Sequence, residues 1–142
     1  MRKMSLSVKK KIHNFYFKKL NDPRIKRIYL NFKKKISSHI TNSFCVAVSG
    51  GLDSMALSFL AKCYSIENNK KIYFFIVDHK LRKESTKEAK LVKRILSKFH
   101  IKSEILTWHG KKPKKNVQSI ARKKRYDLLI SKCKKLKINN LI

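Results

Sequence analysis

The feature that most restricts this chain is a short apolar run, Phe44-Cys45-Val46-Ala47-Val48, that stops at Ser49-Gly50-Gly51-Leu52-Asp53-Ser54. Helical spacing follows at once through Met55, Ala56, Leu57, Phe59, Leu60 and Cys63. A continuous apolar run bounded by turn residues marks a strand buried on both faces, as parallel strands are. The pattern then repeats. Ile72 to Val77 reads as a second strand, Glu84 to Phe99 as a helix with Ala89, Val92, Ile95, Leu96 and Phe99 on one face, and Ile101 to Leu106 as a third strand. A polar loop with Gly110 and Pro113 leads to a helix from Val117 to Leu136, bearing Ile120, Ala121, Tyr126, Leu128, Leu129 and Cys133; Ala121 and Tyr126 are expected to pack. Ile138 to Ile142 has the character of a fourth strand. This alternation predicts an α/β fold with a parallel sheet, right-handed crossovers and helices on both faces. Because a domain is not expected to finish inside an apolar strand, the sequence reads as truncated within that fourth strand.

Ahead of this unit, Ile12, Phe15, Tyr16 and Leu20, then Ile25, Ile28, Tyr29, Phe32, Ile36 and Ile40, recur three and four apart, which predicts two amphipathic helices. Asn21-Asp22-Pro23 separates them, with Asp22 suited to cap the second helix and Pro23 to be its first residue. Residues 1–43 are therefore expected to form a helical extension and 44–142 the main domain. The apolar faces of the two helices are expected to pack, in the simplest case on the sheet, leaving Lys-rich faces outward.

At 142 residues and 42% hydrophobic, the chain has enough material for one core and too little for two. It carries 37 Lys plus Arg against 8 Asp plus Glu, a formal charge of +29, which favours a polyanionic partner such as RNA. The charge is spread along the chain, and a coding bias toward Lys, Ile and Asn is an alternative source for part of it. Cys45, Cys63 and Cys133 lack paired spacing, which argues for buried thiols over disulfides or a CxxC site. His13, His39, His79, His100 and His109 show no zinc-ligand spacing. No stretch has the ~20 apolar residues of a membrane span, and no signal-peptide pattern opens the sequence. The expectation is a soluble cytoplasmic protein with no membrane partner.

Open parallel sheets bind ligands beyond the carboxyl ends of their strands, which directs attention to the loops after Val48 and Val77. In the first, the paired glycines Gly50 and Gly51 bring backbone N–H groups close to a phosphate, with Ser49, Ser54 and the helix N-terminus as further donors. Asp53 would repel that phosphate unless a magnesium ion lay between them, so it is the candidate Mg²⁺ ligand. The alternative for this hexapeptide is a tight strand-to-helix turn with an acidic residue at the helix start. The second loop, Asp78-His79-Lys80-Leu81-Arg82-Lys83-Glu84-Ser85, read alone is a capped, charged connection. Further on, Arg122 and Arg125 lie three apart on one helix, placed either to clamp a phosphate or base together or to be solvated as most helix charges are.

Ser49 to Ser54 resembles the SGGxDS pyrophosphate loop of the PP-loop ATPases, which cleave ATP to AMP and pyrophosphate while adenylating a substrate. Val77 to Ser85 followed by Glu88-Ala89 resembles the VDHxLRxES…EA segment of the tRNA(Ile)-lysidine synthetase family. Asn116-Val117-Gln118-Ser119-Ile120-Ala121-Arg122, with Arg125-Tyr126, is similar to that family's NxQxxAR…RY helix. The resemblance spans about Phe44 to Ile142 and implies an adenine nucleotide alpha hydrolase-like fold. It implies Mg-ATP on Ser49, Gly50, Gly51, Leu52, Asp53 and Ser54, catalytic roles for Asp53 and Arg122, and substrate contacts from Asp78, His79, Arg82 and Arg125. The reaction implied is adenylation of the wobble cytidine C2 oxygen in tRNA(Ile) with a CAU anticodon, followed by attack of free L-lysine to form lysidine. The family's following HHxDD-type segment is absent from this sequence. Two alternatives therefore stand beside the ligase: another PP-loop tRNA-modifying enzyme, and a non-catalytic RNA-binding remnant.

Overall fold

The computed structural model describes residues 5–40, 42–110 and 115–142. The part of the expected polar loop around Pro113 lies outside them. Two helices lead the chain, α1 (Leu6–Lys19) and α2 (Pro23–Ser37), followed by β1 (Ser43–Val48), α3 (Leu52–Glu67), β2 (Lys71–Asp78), α4 (Ser85–Lys98), β3 (Ser103–Thr107) and α5 (Val117–Lys135). The expected cap is in place: the Asp22 carboxylate accepts the Arg24 N–H at 2.8 Å, and Pro23 opens α2. Arg24 beside Asp22 holds that carboxyl below its ordinary range.

The strands run parallel in the order β1-β2-β3, with Ser43 opposite Lys71 and Phe74 opposite Ser103 at the starts of the two pairings. The expected fourth strand is present as one bridge. Leu141 pairs in parallel with Cys45 on the free side of β1, through hydrogen bonds from Cys45 N–H to Asn140 C=O and from Ile142 N–H to Cys45 C=O. The chain thus steps from β1 outward to β3 and returns on the far side of β1. That reversal is the topological switch point at which open α/β sheets bind ligands, and it sits at the head of β1.

Alternate residues of the apolar strands face opposite layers. Phe44, Val46 and Val48 of β1, with Phe74 and Ile76 of β2, meet the buried side of α3 and α4. Cys45 and Phe75 point the other way, to Leu129 and Cys133 of α5. Helices therefore cover both faces, and β1 is apolar from Phe44 to Val48 because both faces are covered. The Cys133 thiol donates to the Cys45 sulfur at 3.3 Å across this second layer, and all three cysteines are buried and free.

The N-terminal helices differ from the simplest expectation: they pack across α3 and form a third layer outside it. Tyr16 is fully buried, stacked on Phe59 and donating its hydroxyl to the Phe99 carbonyl. Tyr29 donates to Glu67, which also pairs with Lys33 at 3.0 Å, so α2 is fastened to the last residue of α3. The sheet face is already filled by α3 and α4, which leaves α1 and α2 the outer side of α3.

Two expected strand starts, Ile101 and Ile138, moved for one reason. Ile101, expected to open β3, instead closes α4: His100 adopts φ +55° and the Ile101 N–H returns to the Leu96 carbonyl at 2.9 Å. Lys137 (φ +55°) and the Ile138 N–H to Cys133 carbonyl bond end α5 in the same way. With three glycines in the whole chain, side-chain-bearing residues occupy left-handed positions that glycine would fill with less strain. No helix among the described residues is long and apolar enough to cross a membrane.

Candidate functional site

The loop after β1 is shaped by Gly50. Its φ is +89°, and a Cβ there would collide with the Val92 Cγ2 methyl of α4, so both backbone conformation and space require glycine. Gly51 has no such neighbour. It caps α3 in extended conformation (φ −71°, ψ 160°), and the nearest atom to a Cβ on it would be Ser49 Oγ at 3.7 Å. The two glycines thus do different work: the first lets the loop pack, and the second keeps the space before the helix clear.

Ser54 pins the loop from inside. Its hydroxyl accepts from the Gly50 N–H and from the Ser49 hydroxyl, each at 3.1 Å, and donates to the Gly51 carbonyl at 2.9 Å. Both serine hydroxyls, read from sequence as phosphate donors, are therefore engaged within the loop. The donors left facing outward are the first N–H groups of α3, which have no side-chain cap. An uncapped helix start with an open approach fits an anion. Asp53 lies in that first turn and is exposed, and Leu52 beside it is 91% exposed and contributes nothing to the core. No group of three or more His, Cys, Asp or Glu able to hold a metal exists among the described residues. A magnesium ion here would take Asp53 as its protein ligand and complete its shell from phosphate and water, an ordinary arrangement for Mg²⁺.

The loop after β2 is built around Asp78, which is 2% exposed. One carboxylate oxygen accepts the Lys80 N–H at 3.1 Å and the other the Thr86 hydroxyl at 2.7 Å, while its carbonyl accepts the Trp108 N–H. Asp78 is thereby spent on holding the loop against α4 and the end of β3. His79 Nδ1 accepts the Leu81 N–H at 3.3 Å, which places the neutral ring's proton on Nε2 and leaves that nitrogen as a donor. The Ser85 hydroxyl lies 3.4 Å from the same Nδ1. Arg82 is exposed and paired with Glu88 at 3.2 Å.

These loops meet at one cavity of about 130 Å³ at the heads of β1 and β2, lined by Ser49, His79, Arg82, Ser85, Val92 and Arg125 among others. The fold thus brings together residues from three stretches that are far apart in sequence. The cavity is small beside the ~300–1,000 Å³ that encloses a whole small ligand, so it has room for only part of a nucleotide-sized molecule. Arg122 is not in its wall; its guanidinium lies over the Tyr126 ring, 5.4 Å from the centroid. The paired clamp read from the three-residue spacing is therefore split, with Arg125 at the cavity and Arg122 on an aromatic shelf. Tyr126, expected to pack, is 45% exposed, because α5 buries only Leu129 and Cys133 fully. Thr86 and Val92 have no functional signature of their own. Thr86 matters through Asp78, and Val92 stands behind Gly50, a contact that helical periodicity does not reveal.

A family model described as a PP-loop domain matches residues 22–142, nearly all of the described structure from α2 onward. The chain belongs to the PP-loop domain family. Among curated relatives, this PP-loop domain is 46% identical over 92 residues to the tRNA(Ile)-lysidine synthase of Bartonella henselae, covering 63% of this chain and 19% of that protein. It is 35% identical over 115 residues to the tRNA(Ile)-lysidine synthase of Rickettsia bellii, covering 78% of this chain and 27% of the relative. The match to the same enzyme of Rickettsia africae is 34% over 115 residues, with 78% and 24% covered. The chain therefore spans about a fifth to a quarter of the length of these relatives.

Proposed function

We infer that this PP-loop domain is the nucleotide-binding part of a lysidine-forming ligase. The observation that carries the reading is the convergence of Ser49, His79, Arg82 and Arg125 on one cavity beside an open, uncapped helix start. The likeness to tRNA(Ile)-lysidine synthases supports it. In the reaction, the C2 oxygen of the wobble cytidine attacks the α-phosphorus of ATP and pyrophosphate leaves. The ε-amine of free L-lysine then attacks C2, and AMP departs with the oxygen as the amine loses a proton.

The residues divide this work by position. The open turn at Gly50-Gly51 gives the pyrophosphate end access to the N-terminus of α3, whose uncapped N–H dipoles stabilise charge moving onto the leaving group. Magnesium, when bound at Asp53, supplies further neutralisation of that charge. Asp78 positions its loop, while His79, Arg82 and Arg125, which line the cavity, serve as donors to the anionic or polar part of the substrate. Arg122, backed by Tyr126, is assigned to the adenylated base. The partners are tRNA(Ile) with a CAU anticodon and free lysine.

The test is equilibrium binding of Mg-ATP to the unaltered chain and to Gly51→Val. The extended Gly51 conformation accepts valine, so the variant is expected to fold and lose nucleotide. AMP release that requires both tRNA and lysine then completes the assignment. Release that ignores lysine would redirect it to another PP-loop tRNA modification. A folded chain that binds tRNA but no Mg-ATP would leave only RNA binding.

A further inference from the structure

A groove of about 440 Å³ lies at the opposite end of the sheet from the phosphate loop. Val8 and Ile12 of α1 form one side; Lys93 of α4, His100, Lys102 and Ser103 at the start of β3 are among the residues of the other. β3 is five residues long, so groove and cavity are separated by about 15 Å along the strands. Val8 and Ile12 fall outside the residues that match the PP-loop model, so this chain's own N-terminal helix completes the groove.

We propose that this groove is a second RNA-binding surface, gripping one base and its flanking phosphates away from the reacting centre. The proposal rests on the reading that the substrate is an RNA. The His100 ring in the groove wall is suited to stack on a base, and Lys93 and Lys102 are exposed cations suited to phosphates, an arrangement common in sites for unpaired nucleic acid. No carboxylate lines the groove to oppose an anion. His100 is fixed in place by its left-handed backbone and by its edge-to-face contact with Phe15, 5.7 Å between centroids. Ser103 carries the one buried side-chain polar atom without a hydrogen-bond partner among the described residues. A membrane surface is a poorer occupant, because Phe15 and Tyr16 of α1 are turned into the protein, which leaves no continuous apolar face for insertion.

The experiment measures binding of a fluorescently labelled CAU-anticodon tRNA transcript across a salt series. It compares the unaltered chain, Lys93→Ala/Lys102→Ala, and the charge-matched control Lys134→Ala/Lys135→Ala on α5. Losing two phosphate contacts to unpaired RNA is expected to lower the log–log salt slope by about 1.4 and the affinity about tenfold near physiological salt. The control is expected to change affinity less than about twofold, and Mg-ATP binding is expected to be unchanged in both. Equal losses in the two double variants would overturn the groove and leave the ligase reading standing. An unaltered chain that binds Mg-ATP but no tRNA would overturn the RNA substrate and the groove together. Loss of binding to anionic phospholipid vesicles in Lys93→Ala/Lys102→Ala, with tRNA binding intact, would overturn the RNA assignment in favour of a membrane surface.

Discussion

Gly50 offers a stringent test of the loop geometry, because two independent effects act on one added methyl group. An L-residue forced to φ +89° carries about 1–2 kcal/mol of backbone strain. The collision with the Val92 methyl adds an overpacking penalty of about 1–3 kcal/mol. Gly50→Ala is therefore expected to lose about 2–5 kcal/mol, inside the roughly 5–15 kcal/mol of a typical domain, so the variant remains measurable. Val92→Ala alone removes two buried carbons and should cost about 2 kcal/mol. In the double variant the collision disappears while the strain persists, which predicts a coupling of about 1–3 kcal/mol between the sites. Urea unfolding followed by circular dichroism on the four proteins gives each value. Gly50→Ala within about 0.5 kcal/mol of the unaltered chain, or a coupling near zero, would refute the loop geometry.

Lys137→Gly, at a left-handed position closing α5, is expected to stabilise the protein by about 1 kcal/mol and raise Tm by about 4 °C. Glu67 is partly desolvated, which raises its pKa, but hydrogen bonds from Tyr29 and Lys33 outweigh this and hold it below the ordinary 4.5. A carboxyl depressed in the folded state stabilises above its ordinary pKa, and that contribution is lost as pH falls through the folded value. Glu67→Gln should therefore lower Tm near neutral pH and flatten the fall of Tm below pH 4.5; parallel curves would contradict the linkage. Burial pushes the Cys63 thiol up to about 12 and also raises Cys45, where the Cys133 contact adds to the effect. All three thiols should resist a thiol reagent until denaturant is added, and rapid labelling of any in the native state would count against the packing.

The parts of the fold legible in sequence were those encoded within one or two turns of chain. Phe44 to Val48 announced a doubly buried strand, Asp22-Pro23 a helix start, and Ser49 to Ser54 a tight strand-to-helix turn. What escaped depended on partners distant in sequence. Nothing near Cys45 signals that Cys133 lies 3.3 Å away, and nothing near Gly50 signals Val92. Tyr126 carries a core residue's side chain at a helical spacing, yet α5 buries only Leu129 and Cys133 and leaves it exposed. The αL closures at His100 and Lys137 were hidden because neither residue is a glycine. Among the candidate site residues, spacing alone paired Arg122 with Arg125, whereas the tertiary structure pairs Arg125 with Ser49 and His79.

The fastening of Glu67 by Tyr29 and Lys33 has a mechanical meaning for the loop at the other end of α3. The helix is 16 residues long and behaves as a rod of about 24 Å, anchored at its last residue and carrying the glycine turn at its first. Pivoting that rod about its anchor by about 2–3° shifts the turn by about 1 Å, a misplacement that can slow an aligned reaction about a hundredfold. The outer helices thus act as the bearing on which the glycine turn is aimed.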